Sequence, residues 1–133
     1  MSGESLVHVR LVERLIVHVR QRHCPPRGLL LLVDHHVFGA NRPLSISGFM
    51  PDLFASDLPA TFEVLGEAKT PLDLETQRSA RQISAFLDHL AVRPGSSFYL
   101  SVPAFSRARA EAFLCGLIRA EHRTVHVQVI DGV

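Results

Sequence analysis

Two carboxylates and one ammonium, in Pro51-Asp52 and Glu67-Ala68-Lys69, are the side chains of this sequence best suited to chemistry. Fourteen residues lie between Asp52 and Glu67. Glu67 and Lys69 stand two apart in Phe62-Glu63-Val64-Leu65-Gly66-Glu67-Ala68-Lys69, a segment that reads as a strand. They therefore share one face, and Ala68 points to the other. Small Gly66 and Ala68 suit close packing against a helix. An acid on so apolar a strand needs a partner or a metal. With Asp52 on the neighbouring strand, the three charged groups converge at one end of a sheet. Two oxygen ligands with open positions suit a hydrated Mg²⁺. Glu63 shares the face of Glu67 and competes with it. A symmetric hairpin turning near residue 58 would set Asp52 nearer residue 64 than 67, so the site requires an uneven or splayed hairpin.

Lys69 is also the only lysine; the other thirteen basic residues are arginines. A position that keeps Lys in such a chain points to a compact ammonium with a movable pKa. Chance is the plain alternative, since one basic position had to hold the only Lys.

The elements that must position these groups follow from periodicity and turn residues. Residues 4–22 read as a helix, with Val9, Val12, Ile16 and Val19 at helical spacing, ended by Pro25-Pro26. Gly28 to Val37 reads as a strand apolar on both faces, and so central in its sheet. Strands follow over about 47–55, containing Asp52, and 60–69. A long helix runs to about residue 91, with Asp73 as its N-cap. Ser97 to Val102 is a strand, Ser106 to His122 a helix and Thr124 to Ile130 a last strand. The order α-β-β-β-α-β-α-β implies a mixed sheet with helices on both faces. On a helical wheel Glu13 borders the apolar stripe of the first helix, and Gln82 flanks the face made by Ile83, Phe86, Leu87 and Leu90. Both could reach a site at the sheet's edge. Taken singly, each reads as a solvated boundary residue.

At 133 residues the chain reads as one domain, 1–133, large enough for a core without staples. No apolar run approaches a membrane span, no signal peptide is read, and two cysteines make no disulfide framework. The expected compartment is the cytoplasm. A net charge of +1 does not announce a nucleic-acid binder. Arg10, Arg14, Arg20, Arg22 and Arg27 nevertheless crowd the first helix and its exit, and local patches can hold phosphate. Solvated helix faces explain them equally well.

Pro51-Asp52, the fourteen-residue gap and Glu67-Ala68-Lys69 together resemble the signature of the PD-(D/E)xK nuclease superfamily. That group includes type II restriction enzymes, archaeal Holliday-junction resolvases and RecB-type and lambda-type exonucleases. The element order over about residues 4–103 is similar to its core. Gln82 four residues before Phe86 is similar to the RecB-type pattern, in which Tyr is usual where Phe86 stands. The resemblance implies an α/β domain with an αβββαβ restriction-endonuclease-like core, extended by a C-terminal helix and strand. It implies Mg²⁺, with Mn²⁺ as a substitute, held by Asp52, Glu67 and the backbone carbonyl of Ala68. Lys69 would orient or deprotonate the attacking water. Glu13 would bind a second metal or a metal-bound water, and Gln82 would position the site or the scissile phosphate. The substrate implied is nucleic acid, DNA before RNA, with no membrane partner and a homodimer or partner subunit for duplex cleavage.

Other signals carry less. His35-His36, read as strand neighbours, point to opposite faces and cannot easily share an ion. His23-Cys24 lacks a second ligand pair. No nucleophile elbow and no Gly-rich phosphate loop is present. A metal-dependent nuclease is thus the leading expectation. Its rivals are an inactive nuclease-like module that binds nucleic acid or a partner protein, and a plain α/β domain whose acids form salt bridges.

Overall fold

The computed structural model describes residues 5–132, so residue 4 of the expected first helix lies outside them. The helix α1 spans Leu6–Arg22. Ser5 caps it by accepting the His8 N–H at 3.1 Å, which fixes where its first turn begins. Its buried stripe is Leu11, Val12, Leu15, Ile16 and Val19.

Five strands form one sheet: β1 Leu29–Val33, β2 Leu53–Asp57, β3 Glu63–Ala68, β4 Ser97–Pro103 and β5 His126–Gly132. They lie side by side in chain order. β1, β2 and β3 are antiparallel neighbours; β3, β4 and β5 are parallel. Parallel neighbours need crossovers, supplied by α2 (Gln77–Ala91) and α3 (Arg107–Leu117). Both steps move the same way across the sheet, so right-handed connections put both helices on one face. There Ile83, Phe86, Leu87, Leu90, Ala110 and Leu114 pack on Leu65, Phe98, Leu100 and Val102. α1 covers the other face, against Val33, Leu53, Ala55, Val64, Ala68 and Tyr99. A mixed sheet with helices on both faces is therefore present.

Four expectations are corrected. β1 is an edge strand rather than a central one, and it stops at Val33. His36–Phe38 form a short 3-10 turn instead, and the Val33 N–H donates to Asn41 O across the outer edge of β1. β2 begins after Asp52. Residues 46–49 make their own tight turn, with Ser47 at φ +52° and Gly48 at φ +85°, and a strand cannot run through that. Thr76, not Asp73, caps α2: its Oγ1 accepts the Ser79 N–H at 3.0 Å. α3 ends at Leu117, five residues early, and Ala120–His122 form a separate 3-10 turn.

Candidate metal and catalytic site

The site depends first on the β2–β3 register. Leu53 faces Gly66 and Ser56 faces Glu63, so one step beyond the ladder Asp52 meets Glu67. The hairpin is therefore centred between residues 59 and 60 rather than at 58. Asp57 is the cause. Its carboxylate accepts the N–H groups of Thr61 at 2.6 Å and Phe62 at 3.1 Å, together with the Thr61 hydroxyl. Ala60 turns the chain at φ +61°. Burial by itself would raise the Asp57 pKa, but these bonds to the ionised form outweigh it and hold the carboxyl below its ordinary range.

Asp52 and Glu67 are then locked to each other through the backbone. The Asp52 N–H donates to Glu67 Oε1 at 3.2 Å, and the Ala68 N–H donates to Asp52 Oδ2 at 2.8 Å. A strand residue sends its N–H and C=O to the same side, so the Ala68 carbonyl faces the Asp52 edge too. Lys69 leaves the strand with its N–H on Ser101 O. Its Nζ lies 3.4 Å from Glu67 Oε2 and donates to Gln82 Oε1 at 2.6 Å. Gln82 comes from the sheet-facing side of α2, the helix that covers this face. Gly66 makes the opposite face close-fitting: a Cβ there would stand 3.1 Å from Leu15 and 3.3 Å from Leu53.

The cluster is nearly closed to solvent: Asp52, Glu67 and Lys69 are 6%, 4% and 9% exposed. Burial of Glu67, and then the charge of Asp52 beside it, push its pKa up to about 8, although Lys69 pulls the other way. One ammonium does not balance two buried carboxylates, and Glu67 holds a proton in its place near neutrality.

Of the residues singled out from the sequence, Asp52, Glu67, Ala68, Lys69 and Gln82 are brought together. Glu13 is not. Its half-exposed carboxylate accepts from His35 Nε2 at 3.0 Å, and the ligand oxygens of Glu13, Asp52 and Glu67 do not come within 4.8 Å of one another. Nδ1 of His35 accepts the Val37 N–H, so Nε2 carries the hydrogen. His36 stacks on that ring, with centroids 4.4 Å apart, because the pair has left the strand. Glu63, the competing acid, is taken at the far end of β3 by His89 at 2.6 Å and Arg93 at 3.0 Å.

His8 was missed. Its Nε2 lies 3.4 Å from Asp52 Oδ2, and the ring also lines a surface cavity of about 570 Å³ with Ser5, Thr70 and Asp73. His8 is thus a cluster member that meets solvent. The available signal was the Ser5 cap, which places residue 8 in the first turn.

A second group, Asp88, Glu121 and His122, has ligand atoms within 4.8 Å of one another. A cation is already there: Arg119 donates to Asp88 at 2.9 Å and to Glu121 at 3.0 Å. His122 Nδ1 accepts the Arg119 N–H, so its Nε2–H donates to Asp88 at 2.7 Å. The group clips the 3-10 turn to α2. No family model, curated protein or solved structure matches the chain.

Proposed function

We propose that the chain is a divalent-metal-dependent nuclease of the restriction-endonuclease-like type, hydrolysing phosphodiester bonds of nucleic acid, DNA before RNA. What carries this reading is one juxtaposition: Asp52 and Glu67 side by side, with Lys69 held between Glu67 and Gln82. The donor set fits a metal. Two buried carboxylates share too little positive charge, and a divalent ion relieves what protonation of Glu67 now relieves.

Asp52, Glu67 and the Ala68 carbonyl would hold Mg²⁺. His8 approaches Asp52, but its ring nitrogens and the oxygens of Asp52 and Glu67 do not all come within 4.8 Å of one another, so it stays outside this ligand set. The bound ion supplies charge stabilisation at the phosphoryl oxygens and an acidified water. Lys69 aligns that water and offsets charge at phosphorus; Gln82 fixes the ammonium by accepting from it. Glu13, engaged by His35, stays outside this ligand set.

The near-complete burial of the acids favours a second reading, a nuclease-like module that binds nucleic acid or a partner protein without cutting. One experiment separates the two. Wild type and Asp52→Ala are titrated with Mn²⁺ by calorimetry and then offered single-stranded, duplex and branched DNA and RNA. The nuclease reading expects a metal site and cleavage in the wild type, both lost in Asp52→Ala. A wild type that binds no metal, or cuts nothing while metal-loaded, overturns it.

A further inference from the structure

A cavity of about 630 Å³ opens between α1 and β5, away from the Asp52 cluster, and three arginines line it. We propose that it binds a backbone phosphate of a nucleic-acid strand, with Arg10, Arg14 and Arg107 as the cationic ligands. The choice of nucleic acid as the source of the phosphate rests on the nuclease reading; the site itself rests on its charge, its backbone donors and its place in the sheet.

The charge of the cavity favours an anion. Three guanidinium groups share it with two carboxylates, Glu13 and Asp131. Both acids are engaged. Glu13 accepts from His35, and Asp131 Oδ2 lies 3.3 Å from Arg107. Arg14 donates to the backbone carbonyl of Asp131 at 3.2 Å, which leaves its charge uncancelled. Arg10 has no hydrogen bond or ion pair among the described residues. Arg107 is held by two carboxylates, Asp131 and Glu111 at 3.2 Å, so the positive charge the cavity offers is that of Arg14 and the uncommitted Arg10. Arg14 and Arg107 are both tethered to Asp131, so an anion would meet guanidinium groups already ordered, at less entropic cost. Their planar forks match phosphate oxygens two at a time.

The backbone adds donors. Among the described residues β5 has no strand beyond it, so alternate N–H groups along its outer edge face outward. A peptide laid along β5 as a sixth strand could use the same edge. Such a peptide also needs apolar pockets for alternate side chains, and α1 offers only Val17 to this cavity. The observations favour the phosphate.

Position supports the same occupant. β3, β4 and β5 are parallel, and Ala68, Ser101 and Ile130 lie in one row across them. Asp131, which anchors two of the arginines, is one step beyond that row. Along the sheet, two strand spacings, about 10 Å, separate it laterally from the metal cluster at the same end, with Glu67 and Lys69 facing α2 and the cavity on the α1 side. A strand cut at Asp52–Glu67 would run past this end of the sheet, where another of its phosphates can meet the arginines.

The test is binding of a short fluorescein-labelled single-stranded oligodeoxynucleotide in EDTA, followed by anisotropy over a salt series. Metal-independent binding is expected. Arg10→Gln or Arg14→Gln should each weaken it roughly tenfold whatever the base sequence. Each should lower the slope of log affinity against log salt by about 0.7. Arg123→Gln, an exposed arginine at the end of the 3-10 turn that packs on α2, should change neither. Equal binding by wild type and the Arg10 and Arg14 variants overturns the site even if the wild type cuts DNA. Arginine-dependent binding by a protein that never cuts upholds the site and overturns the nuclease reading. No oligonucleotide binding, or arginine-dependent binding of a polyglutamate peptide only, overturns the proposal in favour of a protein partner.

Discussion

Lys69 is where the chemistry is most sharply testable. Its ammonium is wedged between Gln82 at 2.6 Å and Glu67 at 3.4 Å, and its side chain is 10% exposed. A guanidinium is planar, larger and cannot give up a proton near neutral pH. Lys69→Arg preserves charge, so it removes only what depends on the ammonium's size and acidity. Loss of a positioned group of this kind costs roughly 10²–10⁴-fold in rate. The expected result is a folded protein with Mn²⁺ affinity near wild type and cleavage lower by that factor. Cleavage at the wild-type rate would show that Lys69 acts only as a charge. His8 joins the neighbourhood of the site through its distance from Asp52, rather than through any feature of the residue itself.

At the scale of elements, the β2–β3 hairpin builds the site and Asp57 builds the hairpin. Three bonds to one carboxylate hold a turn that shifts the pairing by three positions along β3 relative to a turn at residue 58. Asp57→Ala removes the acceptor oxygens of all three bonds, at the end of the hairpin opposite Asp52. The variant should melt at a lower temperature and bind Mn²⁺ more weakly, although Asp57 contacts no proposed ligand. A lower Tm with unchanged Mn²⁺ affinity would show that strand packing alone holds the register. α1 matters in the same way. Its Ser5 cap begins the helix so that the first turn overhangs the end of the sheet.

For the whole molecule, Glu67 couples the site to folding. In the unfolded chain it ionises near 4.5; in the folded protein its pKa is pushed up to about 8. Between these values the folded state holds a proton that the unfolded state has released, so rising pH favours unfolding. The stability associated with protonated Glu67 is full below about 4.5, declines through the window and is gone above about 8. The loss is on the order of a few kcal/mol. His18 and His23, held low by burial and then by Arg22, act in the opposite sense as pH falls. They are common to wild type and variant. Metal-free Glu67→Gln should therefore become more stable relative to wild type as pH rises from about 5 to about 8, measured by urea unfolding. A constant difference across that range would show that Glu67 is ionised throughout. No helix among the described residues is long and apolar enough to cross a membrane.

Much of this was legible in the sequence because periodicity is local. Alternation placed Glu67 and Lys69 on one face, and helical spacing put Gln82 beside the α2 core face. The structure brings those three together. The order of elements and the close approach at Gly66 were legible for the same reason. Lateral position was not. Leu29 to Val33 is apolar throughout, yet pattern along a strand reports what covers its faces, not what lies beside it, and β1 is an edge. Register was not legible either, because it hinges on the bonds that one turn carboxylate makes. Nor was the choice between Glu13 and His8. A helical wheel gives direction around an axis but not height along it, and five residues of helix span about 7.5 Å. The first turn of α1 reaches Asp52, while Glu13 lies farther along and meets His35. Sequence determined which residues share a face; only the tertiary structure decided which of them share a place, since height, register and neighbour are properties of packing.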